Sequence, residues 1–151
     1  MRNSPWLIAA LALTASAAAG AQQTGKQVIA TPNAPNAIGA YSQAIRAGNT
    51  VYVSGEIAID PKTNQVMVNA TIEEQTRRAL ENIRAILASA GLTMEDIAST
   101  TVYLTDINEF DRMNQIYASF FKSAPPARAT VQVARLARDV KIEISAIAVA
   151  R

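Results

Sequence analysis

The chain has 151 residues, half of them apolar and 17% charged, which points to one globular domain and excludes disordered and collagen-like classes. It contains neither histidine nor cysteine, so His- or Cys-based nucleophiles, imidazole or thiolate metal sites, haem ligation by these residues and disulfides are all excluded. Proton transfer must fall to Asp, Glu, Lys, Tyr or water, and 14 Lys+Arg against 12 Asp+Glu gives +2, too small an excess to argue for nucleic acid.

The chain opens with Arg2, an apolar run from Trp6 to Ala15 broken only by Thr14, and a small-residue close at Ala19-Gly20-Ala21. A positive start, a short apolar stretch and a small-x-small end are the three parts of a secretory signal. The run is shorter than the ~20 residues that span a bilayer. Residues 1–21 are therefore expected to be a cleaved signal peptide, the protein to be periplasmic or secreted, and residues 22–151 to form the domain. Removing Arg2 leaves that domain 13 basic and 12 acidic side chains.

Lys26 to Ala30 reads as a short strand, followed by a Pro- and Asn-rich loop over residues 31–36. Ser42 to Ala47 and Thr50 to Ile57 read as strands joined by Gly48-Asn49, a two-residue hairpin signal. A turn at Asp60 to Asn64 precedes Thr71-Ile72-Glu73-Glu74, a capping box with Thr71 as N-cap. The helix it starts places Ile72, Thr76, Ala79, Leu80, Ile83, Ile86, Leu87 and Ala90 on one stripe, and Gly91 ends it. Its other face carries Glu73 and Arg77 at ion-pair spacing.

Thr100 to Thr105 reads as a strand, and Asn108 as the cap of a second helix from Glu109 to Phe121 that turns Phe110, Met113 and Tyr117 inward. Beyond Pro125-Pro126, strands Ala127 to Ala134 and Lys141 to Val149 complete the order β-β-β-α-β-α-β-β. The pattern predicts one α+β domain with helices on one face of a largely antiparallel or mixed sheet. Alternation puts Ala129, Val131 and Val133 opposite Arg128, Thr130 and Gln132, and Ile142, Ile144, Ala146 and Ala148 opposite Glu143, Ser145 and Ile147. The apolar rows suit the helix-packed core. The opposite face mixes polar groups with Ile147 and Val149, a hint of a subunit interface.

Arg128 follows Pro125-Pro126-Ala127, so a stiff backbone presents its guanidinium, which suits bidentate recognition of a carboxylate; an ordinary surface arginine fits the same pattern. Glu143 is the only acid of the last strand, with Lys141 or a nearby arginine as its plain salt-bridge partner. Arg135, Arg138 and Lys141 lack the interleaved aromatics of a nucleic-acid groove. Asp106, Glu109 and Asp111 stand where a helix dipole favours acids, which argues against a metal site. The glycines are scattered, with no phosphate loop.

Several spaced motifs, in order, resemble the RidA/YjgF family of reactive intermediate deaminases. They are Ala34-Pro35 with Ile38-Gly39-Ala40-Tyr41-Ser42-Gln43-Ala44, then Val53-Ser54-Gly55-Glu56-Ile57, then Asn82-Ile83 and Ala90-Gly91-Leu92. Pro126-Ala127-Arg128-Ala129-Thr130-Val131, Ala134-Arg135-Leu136 and Ile142-Glu143-Ile144 follow, so the likeness covers Ala30 to Ala150. The resemblance implies a chorismate-mutase-like fold, a six-stranded mixed sheet with two helices on one face, assembled as a homotrimer with clefts between subunits. It also implies hydrolysis of 2-imino acids or their enamine tautomers, such as 2-aminoacrylate and 2-iminobutanoate, to 2-oxo acids and ammonia.

Carried over by position, Arg128 grips the substrate carboxylate and Glu143 orients or deprotonates the attacking water. Tyr41 and Asn114 line the cleft from the neighbouring subunit, and Ser54 with the Gly55 backbone completes it. Thr130 stands where many members carry a cysteine and is expected to serve as a small polar wall. No cofactor, metal, nucleic acid or membrane partner is implied, only a small imino or oxo acid and further copies of the chain. The alternative reading is a non-catalytic trimer that binds small carboxylates or acts as a chaperone, with a ribonuclease role ranked below both.

Overall fold

The computed structural model describes residues 25–151, so the expected leader at residues 1–21 lies outside the described residues. Strands β1 (Lys26–Ile29), β2 (Ala44–Ala47) and β3 (Thr50–Glu56) precede helix α1 (Ile72–Ser89), then β4 (Ile97–Leu104), α2 (Phe110–Ala118), β5 (Ala127–Gln132) and β6 (Ile142–Val149). The order expected from the pattern is the order observed, with 3-10 turns added at Met94–Asp96, Ile107–Glu109 and Ala137–Asp139.

The six strands form one mixed sheet in the order β1-β2-β3-β6-β4-β5. Only β4 and β5 pair in parallel; β6 lies antiparallel between β3 and β4. Each helix thus connects two parallel strands, α1 leading from β3 to β4 and α2 from β4 to β5, and both pack on the same sheet face.

The local causes are those the residue types dictate. Gly48, at a φ of 60°, turns the two-residue hairpin that pairs Ala47 with Thr50. At the start of α1 the Thr71 hydroxyl accepts from the Glu74 amide at 3.3 Å, and the Glu74 carboxylate accepts from the Thr71 amide at 2.8 Å. Gly91, at a φ of 73°, takes the left-handed position after the helix. Ile72, Leu80, Ile83, Ile86 and Leu87 are fully buried against Val51, Val102, Leu104, Ile142 and Ile144 of the sheet. Each such side chain stabilises the fold by roughly 1.5–3 kcal/mol relative to exposure.

Three expectations change. Asp106, not Asn108, caps the second helical segment, accepting from the Asn108 amide at 2.9 Å, because a 3-10 turn precedes α2. Glu73 meets Arg112 of α2 rather than Arg77, in a two-pronged bond of 2.7 and 2.8 Å whose parallel geometry a flexible i,i+4 pair does not match. The rows of β5 are reversed: Ala129 and Val131 are exposed while Arg128 and Thr130 are half-buried on the helix side. β5 is an edge strand beside the shorter helix α2, so its helix-side row meets the helix flank rather than the centre of the core.

Candidate active site

Arg128 enters β5 directly after the Pro125-Pro126 pair and is opposite Thr100 of β4. Its guanidinium carbon lies 4.5 Å from the centre of the Tyr117 ring and 5.5 Å from that of Phe110, both on α2. Nη1 donates to the Asn114 Oδ1 at 2.9 Å. Tyr117 is itself tied by its hydroxyl to Thr100 at 2.7 Å and lies against Phe121 with ring centres 4.8 Å apart. Stacking and one hydrogen bond therefore fix the guanidinium plane while leaving other N–H groups free to meet a carboxylate. Among the described residues Arg128 makes no ion pair. Thr130, two residues along the same row, has a buried hydroxyl without a partner.

Glu143 lies on the other side of the sheet, because it alternates with Ile142 and Ile144, which are fully buried under the helices. It lines a cleft of about 440 Å³ together with Tyr41, Gln43, Ser54, Gly55 and the Pro35–Ile38 loop. The cleft exists because the pairing of β3 with β6 is irregular between Val53 and Glu56. Gly55 lies in that irregularity, and the Glu143 carboxylate rests on it: a Cβ there would fall 2.7 Å from the Glu143 Cδ. The Ser54 hydroxyl donates to the Ser42 carbonyl at 2.7 Å, which leaves its lone pairs to accept from a ligand. Half-exposed Tyr41 overhangs the mouth, its hydroxyl accepting from the Ile38 amide at 3.3 Å.

Two carboxyl groups, one on each side of the sheet at this irregularity, hold their protons more tightly than ordinary glutamates. Burial lifts Glu143 above the ordinary glutamate range. Glu56, 6% exposed, is pushed up to about 8 by burial and then by the charge of Glu143. Lys141, the plain partner for Glu143, instead donates to Glu109 at 3.0 and 3.1 Å, and Arg135 pairs with Asp139 at 2.6 Å. Among the described residues neither Glu56 nor Glu143 enters a salt bridge, and the cleft lining contains no lysine or arginine. No group of three or more acidic side chains among them gathers as a metal site.

Within one protomer the sequence candidates thus fall into two clusters. Arg128, Asn114 and Thr130 belong to the helix side of the β5 edge; Tyr41, Ser54, Gly55 and Glu143 belong to the cleft on the open face. Asn114 stands with Arg128, so it is not grouped with Tyr41 as the resemblance had it. Glu56, opposite Ile144 at the irregularity, is buried toward the helices and was given no role by the sequence reading. Burial of a charge is not visible in periodicity.

A mixed sheet backed by two helices, with an unpaired guanidinium at its edge and a separate acidic cleft, defines the α+β class of this protein. Comparison makes this specific: residues 31–150 match the family described as Endoribonuclease L-PSP. The chain belongs to this family, the RidA/YjgF family. A RutC family protein of Pyrococcus horikoshii is 54% identical over 123 residues, 82% of this chain and 97% of the relative. TdcF of Escherichia coli, which carries a reactive intermediate deaminase name, is 45% identical over 127 residues, 82% of this chain and 97% of its own. The crystal structure of TdcF with bound serine aligns with a TM-score of 0.79 at 44% identity, covering 83% of this chain and 99% of that one. The YjgF gene product of E. coli aligns with a TM-score of 0.79 at 48% identity, again over 83% and 99%.

Proposed function

We propose that the protein hydrolyses 2-imino acids and their enamine tautomers, such as 2-aminoacrylate or 2-iminobutanoate, to 2-oxo acids and ammonia. It works as a homotrimer in which Arg128 of one protomer completes the Glu143 cleft of the next. The observation that carries the reading is the split itself. A guanidinium held without an acidic partner and a carboxylate cleft without a cation are complementary halves lying on opposite sheet faces. Bringing a second copy against the open face joins them, and that face carries the apolar side chains such a contact needs. Val28, Ile45, Tyr52 and Ile147 form a row across four strands, and Val28, Tyr52 and Ile147 are exposed in the protomer.

In the joined site Arg128 holds the substrate carboxylate and Ser54 accepts from the imine N–H. Glu143 takes a proton from water as its oxygen bonds to the imine carbon, and returns that proton to nitrogen as the carbon–nitrogen bond breaks and ammonia leaves. The second proton of the attacking water also reaches nitrogen, directly or relayed through solvent, as the carbonyl forms, so that nitrogen leaves with three hydrogens as ammonia. Because Glu143 must be ionised, activity falls on acidification at a pH above the ordinary carboxylate range. The endoribonuclease description of the family suits this cleft poorly, since the Glu143 carboxylate repels a phosphodiester and the lining contains no lysine or arginine. Export rests on residues 1–21, which lie ahead of the family match, and predicts a periplasmic or secreted protein beginning at Gln22.

The test is release of ammonia and oxo acid from freshly generated 2-aminoacrylate or 2-iminobutanoate. Wild type is expected to accelerate release, and Arg128→Ala and Glu143→Gln to fall to the buffer rate. Wild type no faster than buffer removes the reading.

A further inference from the structure

The polar groups of the cleft that are free to meet a ligand gather at one end. Ser54 and Glu143 flank Gly55, whereas Gln43 has its whole amide committed to the backbone of Thr31, Ala34 and Pro35. The other end is apolar, with Ile57, Ile59 and Ala137 as its wall. Extending the pairing of Glu56 with Ile144 by one residue sets Ile57 beside Glu143, on the same face of the sheet. Ile57 and Ile59 belong, with Val140, to a second apolar cluster separate from the core beneath the helices, and Val66 and Leu136 pack against it. The wall is held from behind. Asn82 of α1 donates to the Ile57 and Ile59 carbonyls at 3.2 and 3.1 Å, and Ile59 bridges to Val66. Ala137 is carried on the turn between Leu136 and Val140, where Arg138 and Asp139 take φ values of 62° and 58°. Two successive left-handed residues, neither of them glycine, are costly to hold; they persist here because both ends of the turn are anchored in the cluster.

We propose that this apolar end is a side-chain subsite, and that the protein prefers 2-imino acids with an apolar side chain of leucine or methionine size over 2-aminoacrylate and its imine tautomer. The inference rests on the imine-hydrolysis reading of the same cleft and names the substrate class that reading serves. The imine carbon is trigonal. Its carboxylate goes to Arg128 of the partner subunit and its nitrogen to Ser54, which leaves the third substituent to run along Ile57 toward Ile59 and Ala137. A methyl group stops short of that wall, whereas an isobutyl group covers it and removes apolar surface from water on both sides. The cleft volume of about 440 Å³ lies in the range of pockets that take ligands larger than 2-aminoacrylate. A side chain ending in a second carboxylate is disfavoured, because no lysine or arginine lines the cleft and Glu143 repels it. Arg138, next to Ala137 in the chain, is exposed and is not among the lining residues. Ala137 sets the depth of the subsite, since a larger side chain at that position would fill it.

Calorimetric binding of pyruvate, 4-methyl-2-oxopentanoate and 2-oxoglutarate to the full wild-type assembly tests this without any variant. The methyl-branched acid is expected to bind at least about tenfold more tightly than either of the others. Binding no tighter than that of pyruvate overturns the inference. Turnover gives a second readout, with the imines generated freshly by an amino-acid oxidase. In wild type kcat/KM for 2-imino-4-methylpentanoate should exceed that for 2-iminopropanoate by about tenfold or more, and Ala137→Leu should lower this ratio at least about tenfold. A ratio left unchanged by Ala137→Leu shows that the side chain does not meet this wall, and also overturns the inference. Arg128→Ala separates the two readings. If wild type neither turns over imines nor binds oxo acids through Arg128, the imine-hydrolysis reading fails and this inference with it; if it does both with no preference for the larger side chain, only this inference fails.

Discussion

At the scale of single residues, the cleft depends on an atom that is missing. Gly55 lacks the Cβ that would fall 2.7 Å from the Glu143 carboxyl carbon, and closer still to its oxygen. The clash is with the far end of a flexible side chain, so Gly55→Ala should be absorbed by rotation of Glu143 rather than by movement of β3. The expected result is a loss of turnover of about tenfold or more with the thermal midpoint nearly unchanged, read by the deaminase assay beside calorimetry. A large fall in the midpoint would mean that the strand, not the carboxylate, yields. Glu56 carries a second prediction. Its folded state binds a proton more tightly than the ordinary glutamate value of 4.5, at about 8. Below 4.5 both folded and unfolded chains are protonated and the favourable term is fully present. As pH rises from 4.5 to about 8 the unfolded chain releases the proton and the folded chain does not, so stability falls; above 8 the loss is complete. Urea midpoints at about pH 5 and about pH 9 should therefore decline more in wild type than in Glu56→Gln. Parallel declines would show that Glu56 is not the group being titrated.

Among the elements, legibility followed the range of the forces involved. Helix α1 was readable almost residue by residue, because a capping box, a 3.6-residue stripe and a terminal glycine are all local and agree. Thr71→Ala removes the oxygen that accepts from the Glu74 amide and loosens the reciprocal bond. It should cost about 1 kcal/mol of stability, measured by denaturant unfolding, with ligand binding intact. What escaped the pattern was decided at longer range. Glu73 chose Arg112, 39 residues away, over Arg77 one turn away, because the helix packing brings a fork to a carboxylate. The rows of β5 reversed because alternation states which residues share a face but not which face the helices cover. Gln43 and Gln75 are buried, which neither helical nor strand periodicity predicts for an amide. In the structure Gln43 accepts from the Thr31 amide and donates to the Thr31, Ala34 and Pro35 carbonyls, fixing the loop at the cleft mouth. Gln75 likewise ties the Met67–Ala70 segment to the Lys141 amide. Tertiary anchoring of loops by amides leaves no periodic trace. Of the candidate site, the strand pattern alone left Arg128 and Glu143 readable as ordinary surface charges and the family resemblance singled them out, whereas their separation across the sheet required the topology.

For the whole molecule that separation has a quantitative consequence. If each active site takes Arg128 from one protomer and Glu143 from another, a chain lacking the arginine and a chain lacking the glutamate are each inactive alone but can repair each other when mixed. Consider Arg128→Ala and Glu143→Gln chains unfolded, combined in equal amounts and refolded together. A site is whole only when its arginine comes from the Glu143→Gln chain and its glutamate from the Arg128→Ala chain. With random assembly these are independent choices of one half each, so about a quarter of the sites are restored, whatever the number of subunits in the closed ring. The refolded mixture should therefore show about a quarter of the wild-type rate per site. Mixing without unfolding should show nothing until subunits exchange. Sites contained within single protomers would give no recovery under any mixing protocol. Adding Ile147→Lys to both chains charges the exposed row next to Tyr52 and Val149, and it should abolish the recovery by preventing assembly, observed as monomer in light scattering. Recovery with that charge in place would move the contact to another face of the protein.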